Sequence, residues 1–443
     1  MRKVDVAVVG SGTAAQNVVP RCAQAGLRVA VVDRLPYGGT CAQRGCDPKK
    51  VLLAAAEAVS RARALEGQGL RGGPAVDWPA LIARKRSFTE PVPGRIESWF
   101  RDAGAETLHG VARLRDAHTV EVDGEVLEAA DVVIAAGSRP VELGIPGEDL
   151  VTTSAEFMEL DGLPPRIVFV GGGYISFEFA WLARMAGAEV TLLHRSRHVL
   201  TRFDAQLADQ LVERYRSLGI DVLTEAPVHA VEHRDDALLV THESGAVVAD
   251  LVVHGAGRAA DLATLGVEEA GIDTGPRGVR VDEHLRSVSD AHVWAAGDAA
   301  DKGLPLTPVA SREGKVVAAG ILGEDAAYDG RAVPTICFSD PPLAAVGMST
   351  AEAERHGDRV RVERADTSDW FSQRRVGQTH GGAAVVTDSE NGRLLGAHLL
   401  GVGADEVVNV LALAIRHDLT ASDLMATTLG YPTAASELSY LLG

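Results

Sequence analysis

The sequence predicts an α/β chain in three parts: two units built on parallel strands and a C-terminal α+β region. Two observations carry the first expectation. Near the N-terminus, and again just before Gly171, a short apolar run ends in a glycine-rich turn and passes into a stretch of small and apolar residues. Apolar runs without polar alternation read as parallel strands buried on both faces, and the stretches after them as crossover helices. The third observation is a change of texture after Gly330, where Ala383–Val386 and Leu394–Leu400 alternate like antiparallel strands. A chain of 443 residues is in any case too long for a single core.

Composition narrows the function classes. Lys and Arg number 43 against 61 Asp and Glu, a formal net charge of −18, which disfavours nucleic acid and anionic membrane surfaces as partners. No apolar stretch approaches the length of about 18 residues that a membrane span needs. Four cysteines in this length do not make a secreted disulfide scaffold. The opening Met-Arg-Lys and the apolar Val4–Val9 have the order of a signal peptide, but the run is short and enters a glycine turn, so a strand is expected. The expected location is the cytoplasm.

Val4–Val9 is followed by Gly10-x-Gly12-x-x-Ala15, a helix to Ala25, Gly26, a strand over Leu27–Val32 and then Asp33. This is a dinucleotide fingerprint in its required context, strand, turn, helix, strand and acid. Gly10, Gly12 and Ala15 let the backbone approach a pyrophosphate at the helix N-terminus, and Asp33 can accept hydrogen bonds from a ribose diol. Cys22, inside the helix, reads as a core filler. Residues 51–115 read as a long helix, a glycine-rich break at Gly67–Pro74 and another helix near Pro79–Phe100, with Trp78 and Trp99 as packing residues. Leu114–Leu127 reads as an edge hairpin, and Asp131–Pro140 as a strand ending in the turn at Gly137.

A second Rossmann-like unit repeats the pattern: strand Arg166–Val170, Gly171-x-Gly173-x-x-Ser176, helix Tyr174–Ala186, Gly187 and strand Glu189–Leu193. It ends differently, in His194-Arg195-Ser196-Arg197, without an acid. A guanidinium meets a phosphate bidentately, so Arg195 and Arg197 suit the 2′-phosphate of NADPH rather than NADH. The competing reading is a solvated basic turn.

Gly38–Lys50 reads Gly-Gly-Thr-Cys-Ala-Gln-Arg-Gly-Cys-Asp-Pro-Lys-Lys. In an ideal helix, Cα atoms five residues apart are separated by about 8.7 Å, whereas a disulfide needs roughly 7 Å or less. If Cys41 and Cys46 pair, the segment must be a distorted turn or helix start, with Gly45 relieving the backbone and Pro48 opening the next helix. Two unpaired, buried cysteines are the alternative.

The stretch resembles the redox motif of the flavin disulfide reductases, the group of glutathione reductase, dihydrolipoamide dehydrogenase and mercuric reductase: Gly-Thr-Cys, four residues, Cys, then x-Pro-x-Lys. The resemblance implies FAD and NADPH as cofactors, Cys41 as interchange thiol, Cys46 as charge-transfer thiol and Lys50 near the reactive flavin nitrogen. It pairs Glu178 with Lys50, makes Tyr174 the gate of the nicotinamide pocket, and places Thr40, Gly137, Asp298, Thr307, Val309 and Arg258 at cofactor contacts. Asp298 closes a second FAD motif, His292–Asp298, and would hold the ribityl chain. Thr307 reads as an N-cap with Pro308 opening a helix to Gly320, whose positive end can face the flavin's N1–O2 edge.

The implied fold is α/β: two Rossmann-like domains and a C-terminal α+β dimerisation domain. The implied order is a first FAD segment over 1–147, an NAD(P)H domain over 148–280, a second FAD segment over 281–329 and an interface domain over 330–443. That interface implies a homodimer; Cys337, at its start, reads as packing.

The departure lies near the C-terminus. Members that reduce disulfides carry His-Pro-Thr, two residues, then Glu, and the histidine serves the partner subunit's interchange thiol. Here Tyr431 stands for the histidine and Ser436 for the glutamate, with Glu437 one residue late. A phenol ionises near pH 10 and is a poor proton shuttle at neutral pH. Tyr431 is therefore either a substrate-orienting catalytic residue or an interface filler. The expected function is an NADPH-dependent FAD disulfide reductase whose acceptor is not ordinary glutathione or lipoamide disulfide. Electron transfer to a quinone or metal ion, or a non-enzymatic FAD redox sensor, are the alternatives.

Overall fold

The computed structural model describes residues 2–442. The chain divides into two compact units, Met1–Val51 with Ala83–Val141 and Arg258–Gly330, and Leu52–Ile82 with Glu142–Gly257 and Arg331–Gly443.

The first unit opens with strand β1 (Arg2–Val9), helix α1 (Thr13–Gln24) and strand β2 (Val29–Asp33), then helix α2 (Gly39–Arg44) and the start of helix α3 (Cys46–Ala64). Its seven-stranded sheet runs Glu106–His109, β2, β1, Glu125–Ile134, Thr119–Val122 and Ala112–Asp116, with Val293–Ala295 also paired to Glu125–Ile134. Val6, Ala7 and Val8 are fully buried, as a strand covered on both faces must be. β1 and β2 run parallel in the register Val6↔Val29 to Val9↔Val32, which brings the Gly10 turn beside Asp33.

Two elements differ from expectation. The helix expected near Pro79–Phe100 is two, Trp78–Thr89 and Val92–Asp102; Pro91 has no N–H to continue the first and caps the second. The strand expected from Asp131 is the end of a longer one, Glu125–Ile134, which pairs antiparallel with Thr119–Val122 and parallel with β1. Of the two tryptophans read as packing, Trp78 is buried and Trp99 is 42% exposed.

The second unit holds a four-stranded parallel sheet, Ile220–Leu223, Glu189–Leu193, Arg166–Val170 and Leu251–His254. The helix Tyr174–Met185 packs on it and is buried almost all round, with Phe177, Phe179 and Trp181 in a core shared with Phe157, Phe169 and Tyr215. A five-stranded antiparallel sheet follows, in the order Thr335–Cys337, Leu343–Gly347, Leu394–Leu400, Gly382–Asp388 and Val360–Asp366, covered by the helix Ala404–Arg416. Cys337 is fully buried in this unit and Cys22 in the first. Among the described residues, no helix is long and apolar enough to cross a membrane.

Candidate active site

The first unit builds a cradle for a dinucleotide. Gly10 has φ +103, and a Cβ there would lie 2.2 Å from the Ala135 carbonyl oxygen, so the turn admits only glycine. Gly12 precedes α1, whose first turn holds no acidic residue, and Ala15 is fully buried inside it. The helix's positive end therefore faces the turn without a competing carboxylate, which suits a pyrophosphate. Ser11 N–H and Oγ–H donate to Asp33 Oδ2 at 2.9 and 2.5 Å, and Leu35 N–H donates to Oδ1 at 2.9 Å. Those bonds orient the carboxylate and leave lone pairs for a ribose diol. The Ser11 hydroxyl also accepts from Gly38 N–H at 3.0 Å, tying the turn to the loop that launches α2.

Cys41 lies in α2 and Cys46 opens α3; the junction is Gly45, with φ −142 and ψ −118. A Cβ on Gly45 would lie 3.0 Å from Thr40 O and 3.2 Å from Cys41 Cα. The chain thus folds back on itself between the cysteines and closes the gap that a continuous helix would leave. The two thiols are within hydrogen-bonding reach of each other. They are polarised in opposite senses. Cys46 is depressed to about 6 by the Cys41 thiol first, then by Thr307 and Lys49, against the cost of desolvation. Cys41 is pushed up, because it donates to that thiolate and is itself desolvated. Cys46 also sits at a helix N-terminus, which favours a thiolate. Lys50 is half-buried on α3.

Thr307 corrects one expectation. The helix Thr307–Ile321 is capped by Leu306, and Thr307 is its first residue, with Pro308 next. Its hydroxyl lies 3.7 Å from Cys46 Sγ and makes no cap. Val309 is buried within the first turn of that helix. Asp298, in the turn Gly297–Ala299, accepts from Ser138 Oγ–H at 2.7 Å. Arg258 Nε–H donates to Ser138 Oγ at 3.0 Å, across the pairing of Arg258–Ala260 with Ser138–Pro140. Gly137 precedes that strand with φ +71.

In the second unit, Gly171 has φ +116, and a Cβ there would lie 2.3 Å from Gly255 O. Gly173 precedes the helix Tyr174–Met185, which has no acidic residue in its first turn. Tyr174 is 43% exposed at its start. Arg195 and Arg197 are exposed in the segment after Glu189–Leu193. His194 lies over the glycine turn, where a Cβ on Gly172 would come within 2.6 Å of its ring. Glu178 is fully buried and accepts from Phe338 N–H at 2.8 Å.

At the C-terminal end, Tyr431 is 80% exposed. Ser436 closes a capping box with Thr433, and buried Glu437 accepts from the Ser372 N–H at 2.8 Å and from its hydroxyl. Both positions around the expected glutamate are thus bound into local structure. Sequence reading passed over Ser11 and Ser138, and set Glu437 aside as one residue late. Ser11 was findable as a hydroxyl inside the glycine turn, since such a group can bridge to the acid after the next strand. Ser138 and Glu437 depend on contacts across about 120 and 65 residues of chain, for which no local pattern exists.

The comparisons agree with this architecture. The family model described as pyridine nucleotide-disulphide oxidoreductase matches residues 4–314, and that of the family's dimerisation domain matches residues 333–441. A dihydrolipoyl dehydrogenase of Haloferax volcanii is 31% identical over 97% of this chain and 94% of its own. A glutathione reductase of Burkholderia cepacia is 33% identical over 98% and 97%. The HOCl-induced flavoprotein disulfide reductase RclA from Escherichia coli superposes with a TM-score of 0.89 at 27% identity, covering 99% of each chain; its Cu(II) complex gives 0.90, over 100% of this chain and 99% of its own. The chain therefore belongs to the pyridine nucleotide-disulphide oxidoreductase family, whose members bind FAD and a pyridine nucleotide.

Proposed function

We propose that the protein is an NADPH-dependent FAD disulfide reductase working through Cys41 and Cys46, with an acceptor other than ordinary glutathione or lipoamide disulfide. The observation that carries the reading is the Gly45 break, which brings Cys41 and Cys46 within reach of each other at the start of α3, with the Thr307 hydroxyl 3.7 Å from Cys46 Sγ. FAD, when bound, supplies two-electron chemistry between the nicotinamide and the thiol pair. Gly10, Gly12, Ala15, Asp33, Thr40, Gly137, Asp298, Thr307 and Val309 would hold it, and Gly171, Gly173, Tyr174, Arg195 and Arg197 the nucleotide. Cys46 keeps the negative charge, stabilised by the Cys41 thiol and Thr307, while Cys41 keeps its proton.

Turnover of a disulfide requires Cys41 to lose that proton and attack one substrate sulfur, expelling the other as thiol. Cys46 then attacks Cys41 Sγ and releases the second substrate thiol, leaving the Cys41–Cys46 disulfide. The proton on Cys41 needs a base, and a tyrosine at 431 serves poorly. A substrate whose leaving thiol is already acidic escapes part of that penalty. The second reading is electron delivery to a metal ion or quinone, favoured by Tyr431 in place of the histidine and by the Cu(II) complex of the RclA relative. A homodimer in the cytoplasm, formed through the region matched over 333–441, completes the proposal.

The test is anaerobic NADPH and NADH oxidation with glutathione disulfide, lipoamide, a quinone and Cu(II) as acceptors. Fast flavin reduction by NADPH with slow glutathione disulfide turnover is expected. A preference for NADH, or rapid glutathione disulfide turnover, refutes the corresponding part.

A further inference from the structure

The two glycine turns share a register and differ in the side chains set against them. In the first unit Val9 pairs with Val32, Gly10 N–H donates to Val32 O at 2.7 Å, and the next residue after Val32 is Asp33. In the second unit Val170 pairs with Leu193, Gly171 N–H donates to Leu193 O at 2.8 Å, and the next residue after Leu193 is His194. His194 therefore takes the place that Asp33 has in the first turn, and Gly172 the place of Ser11. Ser11 bonds the Asp33 carboxylate directly. Gly172 instead leaves room for two side chains: a Cβ there would lie 2.6 Å from the His194 ring and 2.9 Å from Val199 Cγ1.

The segment 194–200 is folded onto the turn. Leu200 N–H donates to Gly172 O at 2.8 Å. Leu200 is buried with φ +49, a conformation that a leucine keeps only where its surroundings hold it. At the other end His194 N–H donates to Leu223 O at 2.8 Å, and Glu225 N–H to Ser196 O at 3.2 Å. Across the middle, His194 Nε2 lies 3.0 Å from the His198 carbonyl oxygen. A carbonyl only accepts, so Nε2 carries the ring proton and donates. Burial first, and Arg195 with it, hold the imidazole below its ordinary range against that carbonyl, which keeps the ring neutral with its one N–H committed to His198. Arg195 and Arg197 are exposed on the loop that this bond closes.

We propose that His194 is a positioning residue for nucleotide choice: seated on Gly172 in the place of an acid, it closes the loop 194–198 onto His198 and so presents Arg195 and Arg197 in a fixed relation to the glycine turn. This rests on the reading that the two arginines receive the 2′-phosphate. An unclosed loop would have to lose conformational freedom when the phosphate binds, and closing it beforehand removes part of that cost. A carboxylate in the same place would meet the phosphate as a like charge.

The experiment is calorimetric titration of the oxidised holoprotein with NADP+ and with NAD+, which bind without turnover. His194→Leu keeps bulk on Gly172 and loses the donor. It should weaken NADP+ binding by about two- to tenfold, the span of one neutral hydrogen bond, and leave NAD+ binding unchanged. His194→Gln restores an N–H toward His198 and should bind both nucleotides as the unaltered protein does. Combined with Arg195→Gln and Arg197→Gln, His194→Leu should cost NADP+ nothing further, because it acts through those arginines. Equal weakening of both nucleotides by His194→Leu, or a further loss of NADP+ in the arginine background, overturns the proposal, since either reports a merely structural contact. A His194→Gln variant as weak for NADP+ as the Leu variant overturns it too. The arginine pair separates the premise: if replacing both leaves NADP+ as tightly bound as before, the 2′-phosphate reading fails, whatever His194 does.

Discussion

Replacing Thr307 by Val removes one hydroxyl and almost no volume, and it isolates one contribution to the Cys46 thiolate. The Oγ1···Sγ distance is 3.7 Å, long and to a sulfur that is exposed in the structure. A hydrogen bond of that quality belongs at the low end of the usual range, about 0.7 kcal/mol, which is about half a pK unit. The Cys41 thiol, the largest influence, and Lys49 remain in place. The thiolate midpoint should therefore rise, by about half a unit, and the ionised fraction near neutral pH should fall. The assay is the long-wavelength charge-transfer absorbance of the two-electron-reduced holoprotein, titrated under argon against pH. Because the thiol is depressed, the band should be complete well above pH 6 and vanish as the pH falls through it, in both proteins. An unmoved midpoint would show that the hydroxyl contributes nothing to the thiolate and that Cys41 and the helix start hold it alone.

Cys46→Ser should abolish that band while leaving FAD bound; a persisting band would assign it to another donor. Gly10→Ala should yield protein that retains no flavin, because the added methyl meets the Ala135 carbonyl; stoichiometric FAD in the purified variant would contradict the cradle. Replacing Arg195 and Arg197 together by Gln should cost NADPH affinity, by roughly 1.5–3 kcal/mol per lost charged contact, and spare NADH; equal losses for both nucleotides would remove these arginines from the 2′-phosphate site. Tyr431→His should raise glutathione disulfide turnover, by up to the 10²–10⁴-fold typical of general acid–base help, without changing the rate of flavin reduction; no gain would mean that the acceptor is limited elsewhere.

Much of the two parallel sheets was legible because their signals are local. Parallel strands announce themselves as unbroken apolar runs, so Glu189–Leu193 and Arg166–Val170 were placed to the residue. If Cys41 and Cys46 pair, their spacing calls for a distorted turn or helix start, and the structure puts a break at Gly45. Illegible features were those set by partners distant in the chain. Thr307 has every local mark of an N-cap, yet its hydroxyl turns to Cys46, 261 residues away in sequence. The single helix expected near Pro79–Phe100 took no account of Pro91, which caps the second of the two helices there. Glu313 reads as one more polar residue on an amphipathic helix until the fold carries Gly297 against it.

The C-terminal departure extends beyond the exchange of one side chain. Ser436 closes a capping box with Thr433, and Glu437 is anchored on the Ser372 backbone and hydroxyl. The segment is thus internally bonded, while Tyr431 is exposed on the single chain. The thiol pair, by contrast, retains every element required to hold a thiolate at Cys46. On the proposed reading, a site that holds a thiolate at Cys46 and offers a tyrosine in place of a proton-supplying histidine is matched to acceptors that demand electrons more than protons. This is why, among the acceptors to be compared, Cu(II), quinones and disulfides with acidic leaving thiols rank ahead of glutathione disulfide.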